Sequence, residues 1–286
     1  MKDQSSATLD EALPADTGVC VINLDSRQDR WADFQKSVSG KLGKLPVKRI
    51  SATLGVELNG FGEAPFFRGR KRDRTWAARG GCVLSHRSAL RHGLAMGWSH
   101  VLILEDDVAL DAELSGELCE SLRRALKDNL PDVCYLGFTD PVPPFRKTAD
   151  IAPDGGMYRV FGCNTAHAYL VNRRAMEWIL VRLPEPEDIW PWLTRHRAVD
   201  RFYYRNLSPQ LEVSAVSPPL IVQKEGFSDI VGKSVEVHAG RHLTQILGGE
   251  ITAADFSKVR LDTAEKFWRE GLIDAIRGFL KRRRGF

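Results

Sequence analysis

Three consecutive carboxylates, Glu105, Asp106 and Asp107, follow the apolar run VLIL in VLILEDDVAL, residues 101–110. Adjacent carboxylates repel and raise one another's pKa unless a cation neutralises them. A hard divalent ion does this well, because magnesium and manganese prefer oxygen ligands. The chemistry open to such a cluster is therefore Lewis-acid stabilisation of a charged oxygen. An exposed acidic turn after a strand is the plainer reading of the same three letters.

What positions the acids decides between those readings. HVLIL (100–104) reads as a core strand, so the acids sit at its C-terminal end, where open α/β sheets bind ligands. GVCVINL (18–24) is a short buried strand, and DSRQDRWADFQKSV after it is a helix that Asp25 or Ser26 can cap. VKRISA (47–52) is a further strand. LGVELNGFGEAPFFRGRKRDR is Gly-rich and basic, hence a loop. CVLSHRSALRHGLAMGW reads as a helix with Val83, Leu90 and Leu94 on one face and Gly97 past its end. A helix over about 112–128 and a strand DVCYLGF (132–138) come next, then TDPVPPFRKTADIAPDGG as a loop with four prolines. MYRVFG and HAYLV read as strands and NRRAMEWILVRL as a helix. LPEPEDIWPWLTRHRAVD reads as an irregular connection and VSPPLIVQ as a short strand. Residues 263–280 form an amphipathic helix with Trp268, Leu272, Ile276, Phe279 and Leu280 on one side. Residues 1–17 read as a loose leader.

The bulk numbers narrow the class. A chain of 286 residues, 43% hydrophobic and 27% charged, builds a folded core rather than a disordered chain. No apolar run approaches the roughly 18–20 residues that span a bilayer, and the polar N-terminus has no apolar signal segment, so a cytoplasmic location is expected. The five cysteines show no CxxC pair and no cysteine–histidine cluster, which argues for reduced thiols and against zinc. Of 41 basic residues, five lie in RGFLKRRRGF (277–286) without an acid; a second cluster, FFRGRKRDR (66–74), carries five basic residues against Asp73. Concentrated positive charge suits phosphates or anionic lipid. Nothing in the chain resembles a nucleic-acid-binding motif, so no nucleic-acid partner is expected. A phospho-accepting receiver domain also pairs acids after a strand, with Asp140 as its acceptor, but it needs a later lysine, and residues 148–223 contain none.

The acids belong to a series: INLDSRQDRW (22–31), RGGCVLSHRSAL (79–90), VLILEDDV (101–108), HAYLVNRRAMEWIL (167–180), AVDRFYY (198–204) and SPPLIVQKEGFSDI (217–230). In this order and spacing it resembles glycosyltransferase family 25, over roughly residues 18–232. The resemblance implies a GT-A type fold, α/β with a mixed, mostly parallel sheet flanked by helices. It divides the chain into the leader 1–17, a catalytic domain 18–250 and a helical basic tail 251–286. It implies transfer of a hexose, usually galactose from UDP-galactose, to a glycan or lipid-linked saccharide acceptor with inversion to a β-linkage, assisted by Mn2+ or Mg2+. A non-catalytic relative that binds a nucleotide sugar as a partner subunit is the alternative.

Carried over residue by residue, the resemblance puts Asn23, Leu24, Arg27 and Arg30 along the nucleotide pocket, although Arg27 and Arg30 could equally pair with Asp25 and Asp29. Gly81, Ser85 and His86 match its GCxLSH motif; they either contact ribose and diphosphate or pin the helix behind the acid strand. Asp107 is the expected metal ligand, with Glu105 as metal or ribose contact, Asp106 as sugar or ribose contact, and His238 as an added nitrogen ligand. Asp200 is the candidate general base, Asp188 the second, and positioned proton transfer contributes roughly 10²–10⁴-fold. Ser228 and Asp229 match the late SDI motif that would close the sugar site. Trp190, Trp192, Phe202, Tyr203 and Tyr204 form either an acceptor platform or core packing. The loop 66–74 either closes over the diphosphate, holds acceptor phosphates, or is plain surface. The C-terminal helix, apolar on one side and basic at its end, has the pattern of a peripheral helix on the inner face of a membrane.

Overall fold

The computed structural model describes residues 7–70, 72–110, 113–224, 226–228, 233–235 and 251–283, of which 226–228, 233–235, 278 and 281–283 are described by backbone alone. Chain order begins with β1 (Thr17–Asn23), α1 (Gln28–Ser37), β2 (Val47–Ser51) and α2 (Asp73–Ala95). β3 (His100–Glu105), β4 (Val108–Leu110), α3 (Gly116–Asn129), β5 (Val133–Gly137), β6 (Pro141–Ile151), β7 (Gly155–Cys163) and β8 (Ala168–Asn172) follow. α4 (Arg173–Leu180), α5 (Ile189–His196), α6 (Val199–Asn206), β9 (Val213–Ser217), β10 (Ile221–Gln223), β11 (Gly226–Ser228), β12 (Lys233–Val235) and α7 (Ala253–Arg283) complete it.

The main sheet has eight strands in the order β2-β1-β3-β8-β5-β9-β7-β6. β1 is parallel to both β2 and β3, and β5 to β9; the remaining pairs are antiparallel. This mixed sheet flanked by helices is the α/β architecture expected, with three of the seven strand pairs of the sheet parallel. Every residue of β1 is buried, as a strand covered on both faces must be. Alternate side chains feed two cores. Cys20, Ile22, Val101 and Ile103 join α2, α4, α5 and α6 on one face; Val19, Val21, Leu102 and Leu104 join α1 and α3 on the other. A fully buried leucine such as Leu90 contributes roughly 1.5–3 kcal/mol.

Three stretches differ from expectation. Residues 139–156 contain β6 and a turn. β6 tolerates its prolines because it is the last strand of the sheet and pairs only with β7, and Pro143 and Pro144 fall in the register shift between Val142 and Phe145. The connection 183–200 contains α5 and the start of α6, with Ile189, Trp190 and Leu193 buried. Residues 7–16 are packed, not loose: Leu9, Ala12 and Leu13 are buried beside Leu42, Leu118 and Leu122. Their spacing of three and four is one helical face inside an acidic stretch, an apolar signal that the surrounding charges mask.

α2 begins at Asp73, nine residues before the expected start, and ends where Gly97 adopts φ +78. The five cysteines are free, four of them buried. No described helix is long and apolar enough to cross a membrane. α7 docks by Phe256, Phe267 and Asp274, with Phe267 against Phe161 and Tyr204 and Asp274 bonded to Arg197 and Arg205. Its opposite side leaves Trp268, Leu272, Ile276, Phe279 and Leu280 between 45% and 66% exposed.

Candidate functional site

β1 and β3 run parallel with Ile22 beside Glu105, so INLDSRQDRW and the acid motif leave the sheet at the same edge. A cleft of about 380 Å3 opens there. Its walls are Leu24, Ser26 and Arg30 after β1; Ala52, Thr53, Leu54, Gly55 and Val56 after β2; Arg74, Ala78, Cys82, Ser85 and His86 on α2; the three acids; and Gln223 on β10.

The three acids have three different fates. Asp106 is clamped: Asn23 Nδ2 donates to Oδ2 at 2.5 Å and Arg30 Nη1 to Oδ1 at 2.9 Å. Burial raises its pKa against these two donors. Glu105 lies against His86, whose Nε2 is 3.5 Å from Oε1, and Gln223 Nε2 approaches Oε2 at 3.5 Å. Burial opposes the charge of Glu105, but His86, His167 and Arg30 outweigh it and hold its carboxyl below the ordinary value. Asp107 is left over. Its Oδ1 is buried without a hydrogen-bond partner, and Arg30 stands 3.7 Å from Oδ2. Burial, then the charges of Glu105 and Asp106, push its pKa up to about 7. A buried carboxylate without enough positive charge beside it is the condition that a cation relieves.

Asp107 and Glu105 supply carboxylate oxygens to the cleft, the donor type that a hard divalent ion prefers. His238 and Asp229 lie outside the described residues, and so does the side chain of Ser228, whose backbone pairs with Lys233 in the β11–β12 hairpin. A second donor set shares the cleft. The ligand atoms of Cys82, His86 and Glu105 lie within 4.8 Å of one another. This corrects the expectation of no cysteine–histidine cluster: Cys82 and His86 are four apart, and α2 stacks such residues on one face.

Other expected residues act from behind the cleft. Asn23 is buried and relays between Arg49 Nε, which donates to Oδ1 at 2.8 Å, and Asp106. Arg27 pairs with Asp29 at 2.9 Å, one of the alternatives open to it, whereas Arg30 pairs with Asp106, a partner neither alternative named. Ser85 Oγ donates to Gly81 O at 2.7 Å and accepts from Thr53 N at 2.9 Å, pinning the loop after β2 to α2. A Cβ on Gly81 would stand 2.2 Å from Thr53 O, so glycine is required by close approach of helix and loop. His86 is fully buried, and its Nδ1 meets Tyr169 OH at 3.0 Å, which in turn meets Tyr203 OH at 3.1 Å. The pinning role therefore holds for Gly81 and Ser85, while His86 positions Glu105.

Asp200 opens α6. Its Oδ1 accepts from Arg201 N at 2.7 Å and its Oδ2 from Thr165 N at 3.3 Å. Asp200 does not line the cleft; burial first, and then the charges of Glu105, Asp200 and Asp107, push the pKa of the Cys82 thiol up. Asp188 is exposed at the start of α5 and does not line the cleft. Of the five aromatics, Trp190, Phe202 and Tyr203 are buried, and Tyr204 packs on Phe267. Packing accounts for these four. Sequence reasoning missed the wall 52–56, Cys82 and Gln223. Gln223 is delivered by pairing of β10 with β4, where it sits opposite Val108.

Comparison with known proteins bears on this segment. The model of Glycosyltransferase family 25 (LPS biosynthesis protein) matches residues 16–133. A Bos taurus protein, "Probable inactive glycosyltransferase 25 family member 3", is 29% identical over 131 residues, covering 42% of this chain and 21% of that protein. The chain thus spans about a fifth of that relative's length. Among solved structures, A197 from STIV aligns over 82% of this chain and 97% of its own at TM-score 0.39 and 13% identity. Mannose-1-phosphate geranyltransferase from Thermus thermophilus aligns over 70% of this chain and 73% of its own at TM-score 0.29 and 10% identity. Structural likenesses this loose carry no function. The sequence match covers β1 to the start of β5, with all three acids and every residue of the cleft wall except Gln223, so this part of the chain is similar to glycosyltransferase family 25.

Proposed function

We propose that the chain transfers a hexose, most simply galactose, from a UDP-sugar to a glycan acceptor with inversion, assisted by manganese or magnesium. The observation that carries this reading is Asp107: half-buried, its buried Oδ1 without a hydrogen-bond partner, its pKa pushed up to about 7, at a strand end in a cleft that lies largely within the segment similar to a glycosyltransferase family. Asp107 and Glu105 would hold the ion, which supplies charge stabilisation to the departing diphosphate. Arg30 adds a fixed positive charge on the same side. The wall 52–56 offers apolar surface for the nucleoside. Asp200 would take the proton of the acceptor hydroxyl as its oxygen bonds to the anomeric carbon and the bond to the diphosphate breaks.

The exposed apolar side of α7, continued by the basic run 281–284, supports peripheral attachment to an anionic membrane, with each basic residue contributing about 1 kcal/mol. Deleting 277–286 is expected to weaken binding to anionic liposomes; equal binding would reject the attachment.

A second reading is favoured by the bovine relative, whose name describes it as probably inactive: a protein that binds a nucleotide sugar without turnover. Thermal unfolding with UDP, UDP-galactose, UDP-glucose and UDP-N-acetylglucosamine, each with and without manganese, tests the donor site. Ligand at 100 times its Kd stabilises by about 2.7 kcal/mol, roughly 5–10 °C for a domain of this size. A manganese-dependent shift accompanied by UDP release supports the transferase; a shift without release on any acceptor supports the binding protein; no shift withdraws the UDP assignment.

A further inference from the structure

A second cavity, larger than the acid cleft at about 620 Å3, opens beside it around the start of α2. Arg74, Ala78 and Cys82 face the cleft, and the neighbouring stripe of the helix, Thr75, Trp76 and Arg79, faces the second cavity. The basic loop therefore divides its charge: Arg74 goes to the cleft, and Arg68, Arg70 and Arg72 go to the cavity. Arg79 on α2, Arg197 after α5 and Arg277 on α7 complete a ring of six guanidinium groups from four parts of the fold.

Two carboxylates line the same cavity, and both are already engaged. Asp73 Oδ2 accepts from the backbone N–H of Arg68 and of Arg70, each at 2.9 Å, which shapes the loop. Asp274 is 7% exposed and bonded by Arg197 at 2.9 Å and Arg205 at 3.3 Å. Arg197 holds a left-handed backbone, φ 69, at the position past a helix end where glycine is the usual residue. Six arginines against two acids leave the cavity with an excess of four positive charges. Arginine, unlike lysine, presents a planar fork that matches the oxygens of a phosphate in pairs. The volume suits a ligand of several hundred Å3, larger than an inorganic ion alone.

We propose that this cavity binds the phosphate group of a phosphorylated saccharide acceptor, whose hydroxyl end then reaches the acid cleft past the first turns of α2. The acceptor role rests on the transferase reading of that cleft. The donor's diphosphate has its own place at Asp107 and Arg30, so the second set of positive charges serves a different phosphate. α7 contributes Asp274 and Arg277 to the cavity while its other side is apolar and exposed, so a saccharide phosphate attached to lipid would meet the protein here.

The test is isothermal titration of glucose 6-phosphate, glucose, and phosphatidylglycerol vesicles into full-length protein saturated with UDP and manganese. Glucose 6-phosphate is expected to bind, glucose not, and the double variant Arg70→Gln/Arg79→Gln to lose at least tenfold in affinity while its thermal shift with UDP and manganese stays unchanged. Raised salt should weaken the interaction. Enhanced binding when the phosphate is carried on vesicles, lost in the same variant, assigns a lipid-linked source; equal loss for the soluble sugar phosphate assigns a free one. Absence of glucose 6-phosphate binding, binding untouched by the double variant, or binding only when UDP is left out would overturn the proposal. Failure of UDP to bind, with glucose 6-phosphate still bound through the arginines, would instead overturn the donor reading and leave the phosphate site standing.

Discussion

The acid cleft and the arginine cavity share one helix and oppose each other in charge and in construction. The cleft draws its chemistry from strand ends: the acids are fixed by β3, and Asn23 and Arg30 by β1 and α1, all within the segment 16–133. The cavity draws its arginines from a loop, two helices and the residue past a third, spread from Arg68 to Arg277. One site is thus built by parallel pairing of neighbouring strands. The other exists only because α5 and α7 fold back against the start of α2. In the cleft three carboxylates outnumber the arginines Arg30 and Arg74; in the cavity six arginines outnumber two carboxylates. That opposition is what an enzyme joining two charged substrates would need, and it can be broken one side at a time.

The largest expected effect falls on the acid side. Asp107→Ala should lower transfer by about 10³-fold or more, the scale of losing a principal charge-stabilising group, and abolish the manganese-dependent thermal shift with UDP while the fold stands. Full UDP release by this variant would remove Asp107 from the site. His86→Gln comes next. It takes away the partner that orients Glu105, and supports of this kind are worth about 10–100-fold in metal affinity, read by manganese titration at constant UDP. An unchanged affinity would mean that Glu105 is not a ligand.

Gly81→Ala probes the shared helix. Its Cβ would meet Thr53 O, so overpacking of about 1–3 kcal/mol is expected, as a lower Tm and weaker UDP binding in the cleft, with glucose 6-phosphate binding at the arginines retained. Equal loss at both sites would show that the two cavities are not independent. The smallest effect is the response to pH. Because the Asp107 pKa is raised to about 7, protons compete with the ion below that value, and manganese affinity should fall by up to tenfold for each pH unit below 7. The metal-free protein should change in the opposite sense. A carboxyl with a raised folded-state pKa contributes stability that is present at low pH and is lost as pH rises through about 7. Asp107→Asn should flatten both profiles; unaltered profiles would assign the titration to another group.

The cleft was largely legible in the sequence because its parts are local or repeat on a short period. A buried apolar run ending in acids marks a strand end, and residues on one helix face recur at spacings of three and four, although the pairing of Cys82 with His86 at that spacing went unread. Even so, the division of labour among Glu105, Asp106 and Asp107 was not legible, since it depends on Asn23 and His86, 83 and 19 residues away, reaching two of the three acids. Nor was the strand β6. Its prolines read as a loop, and only its place at the edge of the sheet makes them tolerable.

The sequence by itself determined that parallel strands bring INLDSRQDRW and the acids to one edge, and that positive charge gathers in the loop 66–74. Only the tertiary structure decided which acid keeps an oxygen without a hydrogen bond, that Asn23 stands behind the cleft rather than in it, and that the loop arginines face a cavity completed by Arg197 and Arg277. The reason is physical. Strand and helix periods are set by neighbouring residues along the chain, whereas burial, ion pairing and the walls of a cavity are set by which distant elements pack together.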